Sequence, residues 1–217
     1  MKEGCKTIPK YTLRRITDYL NVLYLLKNKG VTSVSSVGIA QLMGITDAQV
    51  RKDLSCFNSI GKRGVGYQTE VLIDIIENNL GLNRNCSVII IGVGRLGTAL
   101  MHYKRLAKSK FIILAGFDVD KERIGKKVNG IMVHHINDLE NYASQNMIDI
   151  AVLAVPVDEV GGVMKILNKT SVKSVLNLSP TIISDSNEMI AKNLDIVADF
   201  KILSYRIKEK SNADKNF

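Results

Sequence analysis

The residues best placed to do chemistry are Gly92-Val93-Gly94-Arg95-Leu96-Gly97, a G-x-G-x-x-G turn set directly after the apolar run Val88 to Ile91. An amphipathic segment follows it, and a second apolar run, Phe111 to Phe117, ends in Asp118. The order strand, glycine turn, helix, strand, carboxylate suits a dinucleotide. Gly92 permits the tight turn, Gly94 lets backbone amides approach a pyrophosphate, and Gly97 lets the helix lie close on the sheet. The helix N-terminus adds partial positive charge. Asp118 stands about twenty residues past the last glycine, where a carboxylate accepts from both adenosine-ribose hydroxyls. That carboxylate repels a 2′-phosphate and so favours NAD over NADP, a preference that Lys121 and Arg123 soften. Arg95 either neutralises pyrophosphate charge or stands as an exposed residue at the helix start.

Further elements must complete such a site. Ile148 to Val155 is an apolar run ending in Pro156, a parallel strand whose C-terminal end faces the crevice. Val172 to Leu178 is another, with Asn177, Ser179 and Pro180 on the nicotinamide side. Tyr103 follows Gly97 on the helix beside the cofactor, either as a contact or as a packed aromatic. His134-His135 precede a helix from Asn137 to Asn146 capped by Asn137, and with no third ligand at metal spacing they do not form a zinc site.

The first third of the chain reads differently. Leu13, Ile16, Leu20, Leu23 and Leu26 recur at helical spacing over Ile8 to Leu26, with Gly30 as the stop. Ser35-Ser36 caps a short helix, Val37 to Met43, which Gly44 breaks. Thr46-Asp47-Ala48-Gln49 is a capping-box sequence opening a third helix, Asp47 to Phe57. Val50, Leu54 and Phe57 share one side of it, and Asp47, Ala48, Arg51, Lys52 and Ser55 the other. This is helix-turn-helix form with an outward Arg-Lys pair suited to a major groove; the alternative is a solvated face in a small bundle. Ile60-Gly61-Lys62-Arg63-Gly64-Val65-Gly66-Tyr67 then suits a tight basic hairpin, a wing whose Lys62 and Arg63 reach phosphates or the minor groove. It lacks the order of a phosphate-binding P-loop. A helix from Glu70 to Leu80 leads to a boundary near Gly81 to Asn85.

Composition adds bounds. The net charge of +9 is spread, with 11 basic against 7 acidic groups over residues 1–80 and 19 against 14 beyond, so the local cluster Arg51, Lys52, Lys62, Arg63 matters more than the total. No apolar stretch is long enough for a bilayer, and the start MKEGCKTIPKY lacks a signal-peptide apolar region. Cys5, Cys56 and Cys86 are scattered without metal spacing, which fits a reducing cytoplasm. Phe200, Leu203 and Ile207 form an apolar stripe on a terminal helix that needs a partner surface, its own domain or a second subunit, before a disordered tail after Lys210.

Taken together, Ser35-Ser36, Gln49-Val50-Arg51-Lys52-Asp53-Leu54-Ser55, Gly61-Lys62-Arg63-Gly64-Val65-Gly66-Tyr67, the glycine turn, Phe117-Asp118-Val119-Asp120 and Val155-Pro156 resemble the redox-sensing transcriptional repressors called Rex, from about Pro9 to Ile207. The resemblance implies an α/β chain: a winged helix-turn-helix domain (1–82), a Rossmann-type doubly wound parallel sheet binding NADH or NAD+ (83–199), and an exchanged C-terminal helix with tail (200–217). It implies a homodimer on a palindromic DNA operator, released by NADH and not by NAD+. Cofactor contacts then fall to Gly92, Val93, Gly94, Arg95, Leu96, Gly97, Tyr103, Asp118, Val155, Pro156, Asn177, Ser179 and Pro180. DNA contacts fall to Ser36, Gln49, Arg51, Lys52, Ser55, Lys62, Arg63, Gly64, Gly66 and Tyr67, and the switch to Tyr103 and Asp195. The chain departs from the family pattern at Cys56 and Asn58-Ser59 before the wing, at Leu178-Ser179 after Asn177, and at Asn21, where many members carry an arginine of the switch.

A dehydrogenase needs an acid-base beside the nicotinamide. No Tyr-x-x-x-Lys pair occurs, His102, His134 and His135 lack catalytic context, and little chain is left for a substrate domain, so the chain reads as a non-enzyme. A non-catalytic CoA- or nucleotide-binding module is the other alternative.

Overall fold

The computed structural model describes residues 8–57, 61, 66–186 and 188–214. They form two compact units that divide between Arg84 and Asn85.

The first unit runs α1 (Lys10–Asn28), β1 (Ser33–Val34), α2 (Ser36–Met43), α3 (Asp47–Leu54, continued by a 3-10 turn over Ser55–Phe57), β2 (Tyr67–Gln68) and α4 (Thr69–Asn79). β1 and β2 pair antiparallel, Val34 opposite Tyr67. Ile16, Tyr19, Leu20 and Leu23 form the buried stripe of α1, and Leu72, Ile73 and Ile76 that of α4. Each large apolar side chain so buried contributes about 1.5–3 kcal/mol. Leu13, expected in the stripe, is 39% exposed, and Tyr19 is buried in its place. The Tyr19 hydroxyl reaches the Asp53 carboxylate, which makes burial of that ring favourable.

The second unit runs β3 (Cys86–Ile91), α5 (Arg95–Met101), α6 (Lys104–Lys108), β4 (Phe111–Asp118), β5 (Lys127–Val128), β6 (Ile131–His135), α7 (Leu139–Gln145), β7 (Ile150–Leu153), α8 (Val157–Leu167), β8 (Ser174–Asn177), β9 (Ile190–Asn193) and α9 (Ile196–Asp214). Its strands lie in the order β5-β6-β4-β3-β7-β8-β9. All neighbours are parallel except β5, which folds back on β6 through Asn129-Gly130, both at positive φ. Alternation along β3 sends Ile89 and Ile91 to the core beneath α7 and α8, and Val88 and Ile90 to the opposite face. The chain leaves β3 toward β4 and β6, then returns to its other side at β7, which places a topological switch point at the C-terminal end of β3.

Three expectations change here. The helix after the glycine turn stops at Met101, because the Met101 carbonyl accepts from Asn129 Nδ2 at 2.7 Å and Tyr103 takes a non-helical ψ of 87°. Tyr103 therefore sits in the break between α5 and α6. The cap before α7 is His135, whose ring accepts from the Asn137 amide, and the segment opens with a 3-10 turn rather than at an Asn137 cap. The last helix begins at Ile196 rather than near Phe200 and continues through Asp214, past Lys210. Among the described residues no helix is long and apolar enough to cross a membrane, and no group of three or more His, Cys, Asp or Glu side chains is placed to hold a metal ion.

Candidate dinucleotide crevice and candidate nucleic-acid face

At the switch point the second unit opens into a crevice of about 430 Å³. Gly92 and Gly94, then Asp118 at the end of β4, then Val155 and Pro156 after β7 line it, with Phe117, Ile136 and Val163 as its apolar floor. Gly92 holds φ +90°, and a Cβ there would lie 2.4 Å from the Ala154 carbonyl oxygen. A Cβ on Gly97 would lie 2.0 Å from the Gly92 carbonyl oxygen, so α5 packs directly on the turn. Gly94 is different. Its φ of −68° suits any residue, and a Cβ would meet only Arg123 Nη1, at 3.7 Å. Among the described residues nothing demands glycine there, and a side chain would project into space beside the crevice where a pyrophosphate would fit. The residues present fit a dinucleotide.

Asp118 is more committed than its sequence position implies. Oδ2 accepts from the Val93 amide at 2.7 Å, and Oδ1 accepts from the amides of Val119 at 2.8 Å and Asp120 at 3.0 Å. A carboxylate has about four acceptor positions, which leaves room for about one further donor rather than two ribose hydroxyls bound independently. Arg123 is a residue that motif reading undervalued. Its Nε pairs with Asp120 at 2.9 Å, its Nη1 donates to the Val93 carbonyl, and the guanidinium lies 3.8 Å from Asp118. It lines the crevice and also a second depression with Arg95, Lys126 and Lys127. Only its distance from Asp118 in sequence hinted at this.

Other expected cofactor residues lie off the crevice lining. Val93 is buried, Gly97 is covered by the turn, and Arg95 and Leu96 are exposed on the first turn of α5. Tyr103 is 51% exposed and borders a separate depression with Phe111 and Ile131. Asn177 is fully buried: its Nδ2 donates to the Thr181 carbonyl and to Asn193 Oδ1, and its Oδ1 accepts from the Ser179 amide. Ser179 donates to the Val155 carbonyl at 2.6 Å. These two brace the ends of β7, β8 and β9, while Pro180 is exposed. Asp195 Oδ1 accepts from the amides of Val197 and Ala198 and caps α9; no hydrogen bond joins it to Tyr103 within the described chain.

In the first unit, α2 and α3 meet across Gly44, which holds a left-handed φ of 64°, with Ala40 and Val50 buried between them. The Ser35 side chain accepts from the Gly38 amide and that of Thr46 from the Gln49 amide, starting α2 and α3. The reciprocal half of the capping box is absent, because the Gln49 side chain turns to Asp53 instead. Arg51, Lys52 and Ser55 are exposed on one side of α3. Arg51 donates to Asp47 and, at 3.3 Å, to Ser36 Oγ, so the structure brings Ser36 and Arg51 together across the two helices. The Arg51 hydrogen bond holds the Asp47 carboxyl below its ordinary range. Gly66 backs onto the Val34 carbonyl. Tyr67, carried over as a DNA contact, is a core residue, 9% exposed. Lys62, Arg63 and Gly64 lie outside the described residues.

Asp53 is the residue that sequence reading missed. It is 2% exposed. Arg15 Nε and Nη2 donate to it at 2.6 and 2.8 Å, the Tyr19 hydroxyl at 2.7 Å, and Gln49 Nε2 at 2.8 Å. Burial pushes its carboxyl up, but these hydrogen bonds outweigh it and hold the group below the usual carboxylate range. In sequence it looked like a lone acid in a basic stretch, with nothing to mark its partners on α1.

Comparison with known proteins adds the following. Residues 83–181 match the family described as "CoA binding domain", and residues 7–55 the family described as "Putative DNA-binding protein N-terminus". The redox-sensing transcriptional repressor Rex of Carboxydothermus hydrogenoformans is 38% identical over 93% of this chain and 97% of its own. That of Thermosipho africanus is 36% identical over 94% and 97%. The crystal structure of RSP, a Rex-family repressor, in complex with NAD+ and operator DNA matches with a TM-score of 0.89 at 29% identity, over 97% of each chain. RSP in complex with NADH matches with a TM-score of 0.87 at 28% identity, over 98% of this chain and all of that one.

Proposed function

The chain belongs to the Rex family of redox-sensing transcriptional repressors, and on that premise we propose that it binds operator DNA through its first unit and NAD(H) through its second, releasing the operator when the bound form is NADH. The observation that carries this is the likeness, across nearly the whole chain, to a repressor whose structures hold operator DNA with NAD+ in one case and NADH in another. It is a regulator and not an enzyme, as its relatives are named repressors.

The roles follow from the chain's own groups. The turn at Gly92 and Gly94 takes the pyrophosphate, Asp118 accepts a ribose hydroxyl, and Val155 and Pro156 border the dinucleotide beyond the turn. Arg51, Lys52, Ser36 and Ser55 face the duplex, with Lys62, Arg63 and Gly64 as the wing. NADH and NAD+ differ by one positive charge and the planarity of one ring, so the two forms bias the protein only through contacts that differ between its states. Tyr103 and Asp195 are the groups we assign to that difference. A hundredfold difference in affinity corresponds to about 2.7 kcal/mol, within reach of one or two rearranged hydrogen bonds.

A palindromic operator needs two reading helices about one helical turn apart, hence a two-fold homodimer. Two features of the second unit support that arrangement. Along α9, Phe200, Leu203 and Ile207 are 67%, 54% and 68% exposed. On the sheet face away from α7 and α8, an apolar groove of about 350 Å³ lies between Val88, Leu100, Phe111, Val152 and Leu176. Both are apolar surfaces that a second copy of the chain covers. An operator gel shift titrated with NADH and NAD+ tests the reading: release by NADH alone is expected, and an equal response to both forms ends the redox part.

A further inference from the structure

The depression beside the crevice has a volume of about 470 Å³, and Arg95, Arg123, Lys126 and Lys127 line it against a single acid, Glu122. Gly94 and Arg123 line the crevice as well, so the two spaces meet at the glycine turn. Arg95, Lys126 and Lys127 form no ion pair with another described residue. Arg123 uses Nε on Asp120 and Nη1 on the Val93 carbonyl, and its Nη2 end makes no hydrogen bond among the described residues. The depression therefore gathers uncompensated positive charge at the edge of a nucleotide-shaped space, where a guanidinium and ammonium groups suit a phosphate.

Asp118 points the same way. A carboxylate at the end of this strand ordinarily turns away a phosphorylated ribose by charge. Here its oxygens accept three backbone amides, and Arg123 Nη1 stands 3.8 Å from Oδ2, so its charge is met from within the protein. It has room for about one ribose hydroxyl, which leaves the neighbouring hydroxyl without a partner on Asp118.

We propose that the depression is an anion subsite of the crevice, taking a phosphate carried on the adenosine ribose at its 2′ or 3′ oxygen. Arg123 meets that phosphate beside Asp118, and Lys126 and Lys127 complete its charge balance. The inference rests on the dinucleotide reading of the crevice and names a further phosphate that the same site accommodates.

Fluorescence titration of the full-length protein with NADH comes first. No binding overturns the reading of the crevice and this inference with it. Where NADH binds, 5′-AMP, adenosine 2′,5′-bisphosphate and adenosine 3′,5′-bisphosphate are each used to displace it. One bisphosphate should displace NADH at a concentration about tenfold or more below that of 5′-AMP, the scale of one charge-assisted hydrogen bond. Two further comparisons separate the sources: NADPH against NADH for a phosphate at 2′, and CoA against dephospho-CoA for one at 3′. Lys126→Glu with Lys127→Glu should abolish the gain and leave NADH, which has no ribose phosphate, at wild-type affinity. Where that pair loses NADH as well, Lys126→Gln with Lys127→Gln decides by the same comparison. Lys104→Glu with Lys108→Glu makes an equal change of charge on α6, outside the depression, and should leave the gain intact. Bisphosphates no better than 5′-AMP, while NADH binds, overturn the inference alone. So does a gain that survives the changes at Lys126 and Lys127, or one that falls equally in the α6 variant, since overall charge then accounts for it.

Discussion

The Asp118 carboxylate accepts a hydrogen bond from the Val93 backbone amide at 2.7 Å, so the acid ending β4 and the glycine turn after β3 are one hydrogen-bonded piece. Asp118→Ala removes both the proposed ribose acceptor and the clamp on the turn. Charge-assisted hydrogen bonds contribute about 1.5–3 kcal/mol, so NADH affinity should fall by about 10–100-fold. Calorimetric titration with NADH checks this, and operator binding without NADH should stay at the wild-type level.

Gly94 and Gly97 should separate binding from stability. Gly94→Ala has an allowed φ and no close protein neighbour, so thermal unfolding should be unchanged while NADH affinity drops by about tenfold or more. Gly97→Ala drives a methyl into the Gly92 carbonyl and should cost about 1–3 kcal/mol of stability before any ligand is added. Parallel melting curves and NADH titrations read the difference.

Asp53→Ala leaves Arg15 and Tyr19 without their buried acceptor, and breaking such a pair costs about 3–5 kcal/mol. The same carboxylate gives a pH signature. Its folded value is depressed, so its contribution is complete above the ordinary carboxylate value of about 4 and is lost as pH falls through the folded value below that. Urea unfolding of wild type and Asp53→Asn across this range should show two stabilities far apart at neutral pH that converge in acid. A gap independent of pH would remove the ionised carboxylate from the account.

Lys52 is exposed, with its neighbour Arg51 tied to Asp47 and Ser36. Lys52→Ala should weaken operator binding and lower the slope of log affinity against log salt by about 0.9, the value for one phosphate contact. Arg51→Ala should weaken binding more and relax preference at one base pair. Neither should alter NADH titration, because both residues lie in the unit that does not hold the crevice.

Phe200→Asp with Leu203→Asp places two charges on the exposed apolar stripe of α9. Sedimentation is expected to show dimers for the wild type and monomers for the double variant, with half-operator affinity retained and full-operator affinity lost. A dimer that survives both charges would direct attention to the sheet groove.

Much of this was legible in sequence because the signals were local. Strand, glycine turn, strand and acid occupy one continuous stretch, and the positive φ of Gly92 and the packing of Gly97 on the Gly92 carbonyl are internal to it. The caps at Ser35 and Thr46 are contacts over three residues. What escaped was long-range. Asp53 meets Arg15 across 38 residues, and Arg123 meets Val93 across 30. Periodicity also left Tyr19 out of the buried stripe, since a ring that buries well with a polar tip is scored as neither core nor surface. Tyr103 was placed on a continuous helix because nothing nearby announces that Asn129 takes the Met101 carbonyl.

The ion pair between Arg15 and Asp53 has a mechanical consequence. It bolts α3, the helix proposed above to meet the duplex, to the first helix of the chain, with a buried charge that strongly resists release. The reading helix therefore cannot swivel by itself to let go of a groove. On that proposal, release would have to move α1 and α3 together as one block, with the internal aim of the reading helix left unchanged.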